Sequence, residues 1–242
     1  MKYMGSKARH AKELLPIILK DHTPDMWYVE PFVGGANMIS RVDIKIAPKR
    51  IGFDCNEYVI ELFKALQNGY RPPENINLDF YNHVRENKDC YDKATVACVG
   101  LCFTYSAKWF GGFIGNSNDV VCKGRDRLGE SYRAVEKARK EVEGVIFEHR
   151  SVFELDFSKS GKCTIYCDPP YRDTTKYKDN FDHERFYDWC VERHKEGHNV
   201  FVSEYWMPED RFECIWSKEV NNSLTKDTGS KKGIEKLFIP RA

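Results

Sequence analysis

Thr164-Ile165-Tyr166-Cys167-Asp168-Pro169-Pro170-Tyr171 is an apolar, β-forming run that ends abruptly in a carboxylate, two prolines and an aromatic ring. A strand that delivers an acceptor-rich turn to the edge of a sheet is expected here. The prolines carry no N–H and hold φ at about −65°, so the backbone from Asp168 to Pro170 is stiff and offers carbonyl oxygens without competing donors. A planar exocyclic amine suits such a turn. Its two hydrogens need two acceptors, which the Asp168 carboxylate and the Pro169 carbonyl supply, while the Tyr171 ring offers a face to a heterocycle. Stacking needs that face and not the hydroxyl. An Asp-Pro pair alone would read as an ordinary loop start; the second proline and the tyrosine after a hydrophobic strand favour a site.

Upstream, Trp27-Tyr28-Val29-Glu30-Pro31-Phe32-Val33-Gly34-Gly35-Ala36-Asn37 reads as a short strand, a glycine turn and then a helix. Small residues at such a turn let a ligand approach the backbone closely. Arg50-Ile51-Gly52-Phe53-Asp54 reads as a second strand ending in an acid, about 20 residues after the glycines, where nucleotide-binding α/β folds place a carboxylate on a ribose diol. The turn lacks a full GxGxxG, which favours an adenosine-bearing cofactor other than a dinucleotide. At the start of the chain, Gly5-Ser6-Lys7 precedes an expected helix over Arg9 to Lys20 with a stripe of Leu14, Leu15, Ile18 and Leu19.

The four segments Tyr3-Met4-Gly5-Ser6-Lys7, Glu30-Pro31-Phe32-Val33-Gly34-Gly35, Asp54-Cys55-Asn56 and Asp168-Pro169-Pro170-Tyr171 resemble, in order and approximate spacing, the Dam-like site-specific adenine-N6 DNA methyltransferases. The Asp-first form of the last motif is similar to the adenine type, whereas a Ser-first form is usual in cytosine-N4 enzymes. The resemblance implies S-adenosyl-L-methionine as cofactor. Tyr3 and Lys7 would line its pocket, Pro31, Phe32, Gly34 and Gly35 would form the glycine loop, and Asp54 would bind the ribose hydroxyls. Asp168, Pro169, Pro170 and Tyr171 would form the catalytic motif, with Asp168 where methyl donor and target meet. Ser151 fits the polar residue that the family sets beside the cofactor adenine. Val152 departs from the aromatic expected next to it, and Ala36 stands where many relatives have another glycine.

The expected architecture is α/β, a Rossmann-like doubly wound and mostly parallel sheet of the class I S-adenosylmethionine methyltransferase type, with residues 1-68 and 145-242 as the catalytic domain. Residues 69-144 are poorly periodic and rich in tyrosine, asparagine and glycine, and are expected to be a target-recognition insertion. Within and after them, Lys108, Lys123, Arg125, Arg127, Lys231 and Lys232 are the candidate DNA contacts. A solvated helix is expected over Ser131 to Glu143, strands at Val145 to Phe147 and His198 to Tyr205, a helix over Glu184 to Glu196, and a closing hairpin ending in Leu237 to Ile239. Arg172 to Asp182 is expected to be a loop over the target base.

The bulk composition narrows the partners. In 242 residues, 41% hydrophobic and 31% charged, a real core can be buried, and no disorder is signalled. A formal net charge of +1 argues against a purely electrostatic binder, so any nucleic-acid surface must be local. The nine cysteines lack paired CxxC spacing and fit reduced thiols, so no metal site is expected. The longest uncharged run, Ala94 to Ala107, is shorter than the roughly 18 to 20 residues that cross a bilayer. The resemblance further implies double-stranded DNA as partner, a cognate restriction endonuclease as a candidate second partner, and the cytoplasm of a prokaryote or phage-infected host. Two alternatives stay open: the same fold acting on an RNA base or protein amide, and a DNA-binding relative without activity.

Overall fold

β4 (Cys163–Cys167) is buried at each of its five positions, which is why it reads as a continuous apolar run and not as an alternation. The computed structural model describes residues 1, 3, 5–115, 124–172, 181–221 and 232–241. Lys123, Lys231 and residues 173–180 of the expected Arg172 to Asp182 loop lie outside the described residues. The remaining strands are β1 (Trp27–Glu30), β2 (Lys49–Asp54), β3 (Ile146–His149), β5 (Asn199–Glu204), β6 (Phe212–Asn221) and β7 (Lys232–Pro240). The sheet order is β3-β2-β1-β4-β5-β7-β6. The helices are α1 (Ala11–Ile18), α2 (Glu57–Gln67), α3 (Leu78–Glu86), α4 (Lys93–Ala97), α5 (Arg127–Glu141) and α6 (His183–Lys195). Along the chain β1 and β2, β3 and β4, and β5 to β7 follow one another, with α2 to α5 gathered between β2 and β3 and α6 between β4 and β5.

Internal contacts divide the chain into two compact units. One unit comprises Met1–Ala11, Val33–Val42 and Ile51–Arg150. In it β2 pairs in parallel with β3, Ile51 opposite Ile146 and Asp54 opposite His149. α2 is capped by Asn56, whose side chain accepts from the Tyr58 N–H, and buries Val59, Ile60, Leu62, Phe63 and Leu66. Phe63 stacks on Phe147 at 4.7 Å. At the end of α2 the Gln67 amide donates to the carbonyls of Val142 (2.7 Å) and Val145 (2.6 Å), which fixes the entry to β3.

Residues 69–144 are more helical than their composition suggests. α4 runs into a π-helical turn at Cys98–Cys102, and Ala94 through Cys102 are all buried. A helix buried on every side carries no amphipathic period, so the run leaves none in the sequence. α5 agrees with the expected solvated helix, burying only Ser131, Val135 and Ala138 of its 15 residues.

The other unit comprises Lys12–Phe32, Asp43–Arg50 and Ser151–Ala242. Here β4 pairs in parallel with β1 (Tyr28 opposite Thr164) and with β5 (Tyr166 opposite Phe201). β7 runs antiparallel to β5, with Glu204 opposite Lys236, and to β6, from Phe212 opposite Pro240 to Asn221 opposite Lys232. The closing hairpin is therefore longer than its apolar end at Leu237 to Ile239 indicates. Phe186 and Trp189 of α6 stack at 6.2 Å, and Phe157 packs edge-on to Trp189 at 6.1 Å.

Two local expectations are corrected. The helix expected over Arg9 to Lys20 is a 3-10 turn at Lys7–Arg9 followed by α1, which ends at Ile18. The helix expected after the glycine turn is only a 3-10 turn at Ile39–Arg41. Gly34 (φ 45°) and Ala36 (φ 54°) both lie in the left-handed region, and that backbone cannot start an α-helix there. No described helix is long and apolar enough to cross a membrane.

Candidate active site

The glycine turn and the acid after it are joined directly. The Gly34 N–H donates to Asp54 Oδ2 at 2.9 Å and the Asn56 N–H to Asp54 Oδ1 at 2.8 Å. Asp54 is buried, and burial raises its carboxyl above the usual aspartate range while the two N–H groups pull it back down. An ionised carboxylate has about four acceptor positions. The two backbone donors leave one on each oxygen, the arrangement that the two hydroxyls of a diol would use.

Tyr3 lies against the same turn. A Cβ placed on Gly34 would meet Tyr3 Cε1 at 2.9 Å, and one on Gly35 would meet Tyr3 Cβ at 2.5 Å and Asn37 Nδ2 at 2.6 Å. Gly35→Ala is therefore expected to cost about 1–3 kcal/mol through overpacking, a fall of roughly 2–12 °C in melting temperature for a chain of this size. A thermal melt identical to wild type would mean that the turn is looser than described. Lys7 is buried, and its Nζ donates to the Gly5 carbonyl at 3.3 Å. Ala36 holds a left-handed φ of 54°, a conformation that favours glycine.

In the other unit three parallel strands, β1, β4 and β5, end at the same sheet edge. β1 ends in Glu30, which is buried and accepts from the Tyr28 hydroxyl at 2.9 Å. β4 ends just before Asp168, which is partly buried, as are Pro170 and Tyr171; Pro169 is buried. β5 ends in Glu204, buried, whose Oε2 accepts from the Arg172 N–H (3.2 Å) and Oε1 from the Tyr205 N–H (2.8 Å). Tyr171 stands edge-to-face with Tyr205 at 4.6 Å and 83°, and its hydroxyl donates to Glu235 Oε2 at 2.9 Å. Ser203 is turned to the Tyr166 hydroxyl at 2.8 Å.

Ser151 is an N-cap. Its hydroxyl accepts from the Phe153 N–H at 3.4 Å, and its own N–H donates to Glu154 Oε2 at 3.0 Å. Val152 is buried, and the partly exposed aromatic of this turn is Phe153, one residue further on. Phe153 stacks with Phe181 at 5.9 Å, and Phe181 stands edge-on to Phe32 at 5.6 Å. Pro31, next to Phe32, is buried. Among the candidate DNA contacts, Lys108 and Arg125 are exposed, and Arg125 is engaged by Glu130 through Nε (2.7 Å) and Nη2 (2.9 Å). Arg127 lies over the Tyr105 ring at 5.1 Å. Lys232 opens β7, and its side chain lies outside the described residues. Among the described residues no cluster of three His, Cys, Asp or Glu could hold a metal ion.

Glu204, Glu235, Phe153 and Phe181 are not among the residues that the sequence marks as functional. Glu204 carried a signal, since it lies between Ser203 and Tyr205 at the polar exit of a strand. The other three depend on contacts distant along the chain.

A sequence model of the D12 class N6 adenine-specific DNA methyltransferases matches residues 3–224. The chain belongs to that family. It is accordingly an S-adenosylmethionine-dependent DNA adenine-N6 methyltransferase in class, and its mostly parallel sheet with an antiparallel β7 between β5 and β6 is the class I methyltransferase fold expected from the sequence. No curated protein matches significantly. Among solved structures, a provisionally named methylase from Haemophilus influenzae is similar over 94% of this chain and 86% of its own, at 7% identity and a TM-score of 0.38. A provisionally named methyltransferase solved with S-adenosylhomocysteine is similar over 100% of this chain, at 12% identity and a TM-score of 0.41; this chain spans 55% of its length.

Proposed function

We propose that this enzyme methylates N6 of an adenine turned out of double-stranded DNA at a specific sequence, with Asp168, Pro169, Pro170 and Tyr171 holding the base. The observation that carries the reading is the exit of β4, where a stiff, donor-free turn puts acceptors and an aromatic ring together and Glu204 and Glu235 hold that turn from two other strands. Asp168 and the Pro169 carbonyl accept the two N6 hydrogens, which leaves the nitrogen lone pair free to face the methyl donor. When bound, the cofactor would supply an electrophilic methyl on a sulfonium, whose S–CH3 bond breaks as N6–CH3 forms and whose sulfur keeps the electron pair as a neutral thioether. The extra proton that N6 carries after transfer leaves toward the Asp168 carboxylate. Turning out the base costs a few kcal/mol, which stacking on Tyr171 offsets in part.

The residues at the glycine turn fit an adenosine-bearing cofactor. Asp54 has one acceptor position free on each oxygen for a ribose hydroxyl. Tyr3, Lys7, Pro31, Phe32, Gly34, Gly35 and Ser151 are the further proposed contacts, with Phe153 in the aromatic role that Val152 cannot fill. Residues 1-68 and 145-242 act as the catalytic domain and residues 69-144 as the target-recognition insertion. A cognate restriction endonuclease is the proposed partner besides DNA, in the cytoplasm of a prokaryote or phage-infected host.

The basic residues of the insertion differ in how free their charge is. Lys108→Ala is expected to weaken DNA binding at all sequences and to reduce the slope of log affinity against log salt by about one. Arg125→Ala should do less, because Glu130 already neutralises that guanidinium. Binding titrations at several salt concentrations distinguish these outcomes, and slopes unchanged in both would remove DNA contact from this segment. Long-read methylation mapping of DNA from cells expressing the chain tests the function itself. N6-methyladenine at one short motif is expected; modified cytosine, or unmodified DNA with active protein, would contradict the reading.

A further inference from the structure

A tyrosine that only stacks needs its ring face and has no use for its hydroxyl, yet the Tyr171 hydroxyl donates to Glu235 Oε2 at 2.9 Å across 64 residues of sequence. Glu235 lies on β7, next to Lys236, which pairs with Glu204 on β5. The ring is held a second time, edge-to-face, by Tyr205 at 4.6 Å. The turn is held a third time where the Arg172 N–H donates to Glu204. Glu235 comes from β7, Glu204 from β5, and Tyr205 from the residue just after β5. A ring with two rotatable torsions, gripped at its hydroxyl and packed against a second ring, keeps one plane, and a fixed plane is what a base turned out of the duplex must meet.

We propose that Glu235 is a positioning residue of the methyltransferase: through the Tyr171 hydroxyl it fixes the plane of the ring on which the target adenine stacks. The proposal rests on the stacking role given to Tyr171 above. Burial raises the Tyr171 phenol well above its ordinary value, and Asp168, Glu235 and Glu204 push in the same direction, so the hydroxyl stays protonated and remains a donor. A carboxylate acceptor makes this one of the stronger hydrogen bonds available to a tyrosine. Loss of either end releases the ring to swing without removing it.

The test is a double-mutant cycle on the full-length chain, read as the single-turnover rate of methyl transfer to plasmid DNA, with thermal melts and S-adenosylmethionine affinity as controls. Glu235→Ala and Tyr171→Phe are each expected to slow transfer by roughly tenfold, the effect of losing one hydrogen bond to a charged group. The double variant should be no more than about twofold slower than either single one, because both remove the same contact. Glu235→Gln, which keeps an acceptor oxygen, should recover most of the rate, whereas a merely structural glutamate would show its loss in the melt and not in the cycle. Wild-type rates in Glu235→Ala and Tyr171→Phe, or losses that multiply in the double variant, would overturn the proposal. Tyr171→Ala separates the two levels of the argument. If it transfers at the wild-type rate, the stacking reading itself fails; if it is slow while Glu235→Ala is not, only the positioning role of Glu235 falls.

Discussion

Asp168→Ala is expected to lower the single-turnover rate of methyl transfer by about 10²–10³-fold, the range seen when one preorganised electrostatic partner of a reacting group is removed. Two roles are lost together. In its proposed role the carboxylate accepts an N6 hydrogen and so orients the lone pair, and it stabilises the positive charge that N6 gains on transfer. Asp168→Asn keeps one acceptor oxygen for an N6 hydrogen but loses the negative charge, so it should recover only part of the rate. Because Asp168 is partly buried at the end of a strand, melting temperature should change little in either variant. Transfer within threefold of wild type by a folded Asp168→Ala protein would take the chemistry away from the β4 exit.

Asp54→Ala should weaken S-adenosylmethionine binding by about 1–3 kcal/mol, measured by calorimetry. The substitution removes the proposed diol acceptor and also strips the Gly34 and Asn56 N–H groups of their partner, which loosens the turn that carries the rest of the site. The pH dependence has a definite sign. The ionised carboxylate is the acceptor form, and burial raises its pKa, so affinity should fall on acidification at a higher pH than an ordinary aspartate would give. Asp54→Asn should abolish that dependence. Unchanged affinity in folded Asp54→Ala would move the ribose site elsewhere.

How much could be read without coordinates follows from how local each feature is. β4 was legible because a strand buried on both faces is a continuous apolar run, and the Asp168 turn because two prolines mark its end. Asp54 was legible as the acid closing β2, although the structure alone supplies its two backbone donors. α4 and the π-turn after it were not legible, since complete burial erases the helical period. The false helix after Gly35 came from reading composition where backbone sign decides: Ala36 carries a left-handed φ that no residue count shows. Glu235 was invisible for a different reason. Its meaning lies in a partner on another strand, and nothing adjacent to it in sequence marks the pairing.

As proposed, the chain moves a methyl group from S-adenosylmethionine to adenine N6 in DNA through the β4 exit. Purified protein incubated with plasmid DNA and isotopically labelled S-adenosylmethionine, followed by nucleoside mass spectrometry, tests it most directly. Labelled N6-methyladenine formed by the wild type and nearly absent with Asp168→Ala is the predicted result. Label appearing on cytosine, or N6-methyladenine formed equally by both proteins, would contradict the account.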